Sequence, residues 1–233
     1  MDPPKKRALE HLAATVGTTR GVLEVGFGDG QVLGQLLATG YRNVYGTEVS
    51  VRMVDSVAAR TPELEGRLFH TDDPRVAADV EAVLCFEVLE HVQDPEGLAR
   101  RFPGRVLYAS VPNPDRWYHA IMRSYEAWDY PPNHLHRFTR SDLVALLGRA
   151  GYTTASIEAM PMTARDILMP FTRRVNVADY DEMRDSRTWY RAMANFMLLP
   201  LVWPIARLLG GVGFKGSSFY IRAVRGPGGQ GSG

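Results

Sequence analysis

Short apolar runs alternate along the chain with stretches whose apolar positions recur every three or four residues. Lys5 to Val16 reads as a short amphipathic helix. Gly21–Val25 (GVLEV) is a brief apolar run ending in Gly26-Phe27-Gly28-Asp29-Gly30. A helical pattern with Val32, Leu33, Leu36 and Leu37 follows and is closed by Gly40, which gives strand, glycine turn and helix. Asn43–Val49 reads as a second strand, Val51–Arg60 as a second helix and Arg67–His70 as a third, short strand. Glu81–Phe86 (EAVLCF) is a fourth, apolar enough for a strand buried on both faces. Glu87–Arg101 reads as mostly helical, and Arg105–Val111 as a fifth strand ending at Pro112-Asn113-Pro114. Thr139-Arg140-Ser141 offers N-caps for a helix Asp142–Ala150 that stops at Gly151, and Tyr152–Met160 and Ser217–Val224 are the closing strands. Strands and helices in this alternation predict an α/β fold on a doubly wound parallel sheet.

At 233 residues the chain is long enough for one domain of roughly 150 residues with an elaboration. We expect a single domain over residues 1–225, with a lid at 114–138 and a helical insertion at 163–214. The tail 226–233 (GPGGQGSG) is flexible by composition. A hydrophobic share of 45% against 23% charged excludes a disordered or fibrous chain. The single cysteine, Cys85, excludes an intramolecular disulfide framework and fits a reducing cytoplasm, the expected location. Met1 to Glu10 has no apolar core after its basic residues, so no secretory leader is expected there. The net charge of +1 argues neither for nor against nucleic acid, and none is among the expected partners. That charge is unevenly spread. Residues up to Met162 hold 17 Lys and Arg against 21 Asp and Glu, whereas those from Thr163 onward hold 10 against 5.

Glu24-Val25-Gly26-Phe27-Gly28-Asp29-Gly30 is the sharpest local signal. Three alternate glycines allow a tight turn and close approach of a ligand to the main chain. A dinucleotide fingerprint would place its third glycine at position 31, which is Gln31, and Glu24 would face a pyrophosphate with like charge. A ligand with cationic groups and no phosphate fits better. Glu48 closes the second strand, where an acid can accept hydrogen bonds from both hydroxyls of a ribose. Together these residues resemble class I S-adenosylmethionine-dependent methyltransferases over about Gly21 to Gly151. The resemblance implies a Rossmann-like, doubly wound, mostly parallel seven-stranded sheet with a helical insertion before the last strand. It implies that Gly26, Gly28 and Gly30 line the cofactor, that Glu24 assists the methionyl amine and that Glu48 holds the ribose. It also places Asp72, after the third strand, at the adenine amino group; Asp72 or Asp73 serves equally as a cap for the short helix after Pro74.

Cys85-Phe86-Glu87-Val88-Leu89-Glu90-His91-Val92-Gln93-Asp94-Pro95 looks like the "VLEHV-DP" signature of small-molecule methyltransferases of quinone biosynthesis and related groups. By that resemblance Cys85 and Phe86 lie against the methionine and adenine parts of the cofactor. Some quinone O-methyltransferases use a divalent ion near this motif, which raises Glu87, Glu90 and His91 as ligands sharing one helix face. The favoured reading is that Glu90 and His91 cap and brace the helix start, and no metal is assigned.

Pro131 to Thr139 looks like the "P-x-H-L-x-x-F-[ST]" stretch of many bacterial small-molecule methyltransferases, and His134 matches its histidine. Methyl transfer to a hydroxyl requires removal of a proton, a task that suits an imidazole, while a brace for a neighbouring loop is the equal alternative. Trp117, Tyr118, Tyr125, Trp128 and Tyr130 fall where an acceptor lid would lie. The expected activity is transfer of a methyl group from S-adenosyl-L-methionine to a hydroxyl of a small molecule. N-methylation and a non-catalytic cofactor-binding subunit are the alternatives. In 163–214 the apolar run Ala194–Ala206 is too short to span a bilayer and carries Pro200 and Pro204. With Arg173, Arg174, Arg184, Arg187, Arg191 and Arg207 around it, this segment suits peripheral membrane contact or a homodimer.

Overall fold

The computed structural model of the chain describes residues 1–71, 79–116, 131–163, 166–167, 199–211, 213 and 215–226. Its strands are β1 (Gly21–Val25), β2 (Val44–Glu48), β3 (Leu68–His70), β4 (Val80–Phe86), β5 (Val106–Pro112), β6 (Tyr152–Pro161) and β7 (Lys215–Arg225). They form one sheet in the order β3-β2-β1-β4-β5-β7-β6, the α/β architecture expected from the sequence. Pairs β1–β2, β1–β4, β2–β3 and β4–β5 are parallel. β7 runs the other way beside β5: Arg225 N donates to Arg105 O at one end, and Asn113 N donates to Ser217 O at the other, both at 2.8 Å. All five residues of β1 are buried, as a central parallel strand covered on both faces requires.

The described helices are α1 (Pro3–Thr15), α2 (Gln31–Ala38), α3 (Val51–Arg60), α4 (Pro95–Arg101), α5 (Arg140–Arg149) and α6 (Leu199–Gly211). Local chemistry sets their starts. Ser50 caps α3, Asp94 caps α4 through the Gly97 N–H at 2.8 Å, and Thr139 with Asp142 forms a capping box at α5. α1 lays Ala8 and Leu12 on the sheet, both fully buried. Beneath it, His11 Nδ1 lies 2.8 Å from the Tyr220 hydroxyl and Thr15 Oγ1 lies 2.8 Å from that of Tyr108. These pairs satisfy phenols that are otherwise wholly buried.

The chain divides into two compact units. The first comprises Met1–Pro112, Phe138–Glu158 and Phe219–Gly233, and the second Asn113–Arg137 and Ala159–Ser218. Within the second, the buried Asn113 donates through Nδ2 to Gly216 O at 3.0 Å. Asp166 accepts from the N–H groups of Thr163 at 2.6 Å and Ser217 at 3.0 Å. The first unit is closed by Arg225, which is 7% exposed. Its guanidinium donates to the carbonyls of Ala99, Arg100 and Phe102 at 2.9–3.1 Å and lies 4.6 Å from the Tyr152 ring centroid. A cation thereby meets the carbonyl end of α4.

The segment Glu87–Arg101, mostly helical by its sequence pattern, is broken in its first half. Glu87 has φ 55°, residues Leu89–His91 form one 3-10 turn, Val92 is extended, and α4 starts only at Pro95. Asp94-Pro95 is the physical cause, because a residue before proline is pushed out of the helical region while proline itself suits the first helical position. Glu87, Glu90 and His91 therefore do not share one α-helical face. Neither does Glu90 cap a helix, because Asp94 does so. Asp72 and the rings of Trp117, Tyr118, Tyr125, Trp128 and Tyr130 lie outside the described residues, as do Arg173, Arg174, Arg184, Arg187 and Arg191.

Candidate active site

The strand order reverses between β1 and β4, and in sheets of this kind the ligand crevice lies beyond the carboxyl ends of the strands at that point. Glu24 and the glycine turn sit at the end of β1, Glu48 at the end of β2, and Cys85 and Phe86 at the end of β4. The topology thus brings these sequence-predicted residues to one edge of the first unit. His134 belongs to the second unit, half-buried in the irregular stretch before α5.

The three glycines of the turn all have positive φ: 71° at Gly26, 54° at Gly28 and 74° at Gly30. Their surroundings differ. A Cβ on Gly26 would stand 2.5 Å from Val88 Cγ2, and one on Gly30 would stand 2.8 Å from Val57 Cγ1. A Cβ on Gly28 would meet no described atom within 4 Å. Gly26 and Gly30 therefore allow close packing behind the turn, while Gly28 faces the open space a ligand can fill.

Glu48, 8% exposed, spans the same turn. Its Oε2 accepts from Gly28 N at 2.8 Å and its Oε1 from Ser50 N at 3.1 Å. One backbone donor at each oxygen fixes the carboxylate plane and leaves further lone pairs for a pair of hydroxyls. The next residue, Val49, is 72% exposed, and its carbonyl lies 2.9 Å from His70 Nε2. An outward valine beside Glu48 offers an apolar face that sequence pattern alone does not distinguish from an ordinary surface residue. His70, at the end of β3, holds this loop.

Glu24 is 2% exposed, and its Oε2 has no hydrogen-bond partner among the described residues. The Leu33 N–H, one of the free donors of the first turn of α2, bonds the carboxyl group. Burial pushes Glu24 up to about 8, with Asp29 and Glu48 adding to the rise, while Lys5 and the Leu33 N–H draw it down. A buried carboxyl with one oxygen unsatisfied is a place built for a donor from outside the chain. Lys5, on α1, was not among the sequence candidates. Its Nζ lies 6.0 Å from the Phe86 ring centroid, which puts a cation at the same edge as Glu24 and Phe86. The Cys85 thiol is fully buried and pushed well up by that burial and by Glu90 and Glu24, so it is a wall of the site and no nucleophile.

Beyond Phe86, Glu87 holds its left-handed backbone against Ser110: Glu87 N donates to Ser110 O at 2.9 Å and Ser110 Oγ donates to Glu87 Oε1 at 2.7 Å. A non-glycine residue in that region costs roughly 1–2 kcal/mol. Strain of this kind gathers at functional sites. Glu90 is 1% exposed, and neither carboxyl oxygen has a hydrogen-bond partner among the described residues. His91 Nε2 stands 3.8 Å from Glu90 Oε1. Burial holds the Glu90 carboxyl well above the usual carboxylate range, and Glu87 adds to the effect.

Residues 3–157, well over half of the chain, match the profile of a family described as Methyltransferase domain. The protein belongs to that family, and its cofactor is S-adenosyl-L-methionine. The donor set fits that ligand, with an unsatisfied buried carboxyl for an ammonium, open space at Gly28 and a fixed carboxylate for ribose hydroxyls. Solved structures share the fold. Magnesium protoporphyrin IX methyltransferase from Synechocystis, with bound S-adenosylhomocysteine, is 16% identical and has a TM-score of 0.56, over 95% of this chain and 82% of that one. A SAM-dependent methyltransferase from Archaeoglobus fulgidus is 16% identical with a TM-score of 0.56, over 95% and 92%. The cyclase SpnF is 16% identical with a TM-score of 0.59, over 95% and 82%. No curated protein matches the chain by sequence.

Proposed function

We propose that the protein is an O-methyltransferase of small-molecule biosynthesis in the cytoplasm, moving the methyl group of S-adenosyl-L-methionine to a hydroxyl. The observation that best supports the cofactor's pose is Glu24, whose unsatisfied oxygen suits the methionyl ammonium. Glu48 takes the ribose hydroxyls, and Phe86 and Val49 supply apolar contact for the adenine. Asp72 is assigned to the adenine amino group by resemblance. When bound, the cofactor supplies a methyl already activated on a sulfonium, so the chain's own contribution is positioning and exclusion of water. His134 accepts the proton that the hydroxyl loses as its oxygen bonds to carbon.

A second reading is favoured by Glu90. A carboxyl group that is buried without a hydrogen bond among the described residues suits a cation, and His91 Nε2 stands 3.8 Å from Glu90 Oε1. A divalent ion held by Glu90 and His91 would act as a Lewis acid that eases ionisation of the acceptor hydroxyl.

The deciding experiment is a screen of hydroxylated, aminated and porphyrin acceptors with methyl-labelled cofactor, with and without added divalent metal. Because SpnF is named a cyclase, the first reading is whether label leaves the cofactor at all. His134→Ala should then lower turnover by roughly 10²–10⁴-fold with cofactor affinity intact, and His136→Ala should do far less. Equal losses in both variants would make His134 a loop brace, and label appearing only on amines would overturn O-methylation.

A further inference from the structure

α6 turns an apolar face to the solvent. Its inner side carries Ala206, 2% exposed, and Gly210, where a Cβ would lie 3.6 Å from the Met162 carbonyl. At 100° per residue the opposite side carries Pro204, Ile205 and Leu208. Ile205 is 52% exposed and Leu208 69%, and Pro204 is exposed as well. An ordinary surface helix has the reverse arrangement, with apolar side chains inward. The sole charged residue of α6 is Arg207, exposed on the border of this face, and exposed Lys215 follows. The helix contains no acid, and the sequence from Thr163 onward has twice as many basic as acidic residues.

From this arrangement we infer that α6 docks on an anionic phospholipid bilayer, with Ile205 and Leu208 seated among the acyl chains near the headgroups. Arg207 and Lys215 lie toward the phosphates. The charge favours this occupant over a neutral one, because basic residues near an anionic leaflet each add attraction that salt screens. The size of the face favours it over a second copy of the chain. Among the described residues the face offers three side chains on one helix, far short of the roughly 800 Å² per partner that a stable protein interface needs. Contact is superficial, since no described helix is long and apolar enough to cross a membrane. The inference is independent of the chemistry at the end of the sheet.

Flotation of the full chain with vesicles tests it. Vesicles of phosphatidylglycerol mixed with phosphatidylcholine should carry the protein at low salt at least tenfold better than phosphatidylcholine alone, and added salt should reverse the gain. The double variant Ile205→Ser/Leu208→Ser should lower the partition coefficient about 10–100-fold, because both side chains lose apolar contact with the lipid. Arg207→Glu should weaken binding to the anionic vesicles only. Both apolar positions are largely exposed, so the variants should melt within a few degrees of the parent and keep their affinity for cofactor. The inference is overturned by a parent chain that stays unbound with both vesicles, or by a double variant that binds as the parent does. It is also overturned if light scattering shows a dimer that the double variant dissociates, which would assign the face to a second copy.

Discussion

Gly28→Ala separates cofactor binding from folding, and Gly26→Ala is its counterpart. At Gly28 the added methyl group meets no described atom within 4 Å, and the backbone N–H still reaches Glu48. The cost to the free protein is that of a side chain at φ 54°, roughly 1–2 kcal/mol. For a chain of this size that lowers Tm by about 2–8 °C. The ligand, however, would have to share its space with the methyl group, so affinity for S-adenosylhomocysteine should fall at least tenfold, about 1.4 kcal/mol. At Gly26 the methyl group would stand 2.5 Å from Val88. Overpacking there adds about 1–3 kcal/mol to the backbone term, so this variant should melt lower than Gly28→Ala. Calorimetric titration with S-adenosylhomocysteine beside thermal melting reads both quantities. Wild-type affinity in folded Gly28→Ala would refute the placement of the ligand, and a Gly26→Ala variant that melts no lower would refute the packing argument.

Other outcomes follow from the same geometry. Burial pushes Glu24 up to about 8 in the folded chain against 4.5 as its ordinary value, so its contribution to stability is full below about 4.5, declines as pH rises from there and is lost by about 8. Tm of Glu24→Gln should therefore fall less between pH 5 and 8.5 than that of the parent. At pH 7 cofactor binding should release close to one proton in the parent and none in the variant, read by calorimetry in buffers of different ionisation heat. Equal release in both would remove Glu24 from the ammonium. Glu48→Ala leaves two backbone donors unpaired and, on the proposed pose, the ribose hydroxyls as well, and should weaken cofactor binding by about 2–4 kcal/mol in a titration. Arg225→Leu strips three carbonyls at the end of α4 of their charged donor, and should lower stability in denaturant by about 2–4 kcal/mol with cofactor affinity kept.

Five parallel strands, the glycine turn and the place of Glu48 were legible because each is a local pattern: an apolar run, alternate glycines, an acid closing a strand. The break inside Glu87–Arg101 was not. Val88, Leu89 and Val92 keep helical spacing, and only the Asp94-Pro95 pair signals a restart. The burial of Glu90 was equally hidden, since nothing in the local pattern Val88-Leu89-Glu90-His91-Val92 tells a buried acid from one that faces solvent. Lys5 escaped notice because helix periodicity says which face is apolar and nothing about which strand end a lysine will reach. Asn113, Asp166 and Arg225 are of the same kind, with partners about 50 to 126 positions away that no local window contains.

The place of β7 between β5 and β6 governs how the chain is made as well as how it stands. β5 is translated about a hundred residues before β7, and until β7 arrives one edge of β5 has no strand to pair with. Exposed edges recruit other chains, and pairings this distant in sequence form slowly. Ribosome-bound chains halted before Lys215 should therefore be the species that chaperones hold and that aggregates when they are absent. Release past Arg225 fills the gap in the sheet and closes off the end of α4 in a single late step.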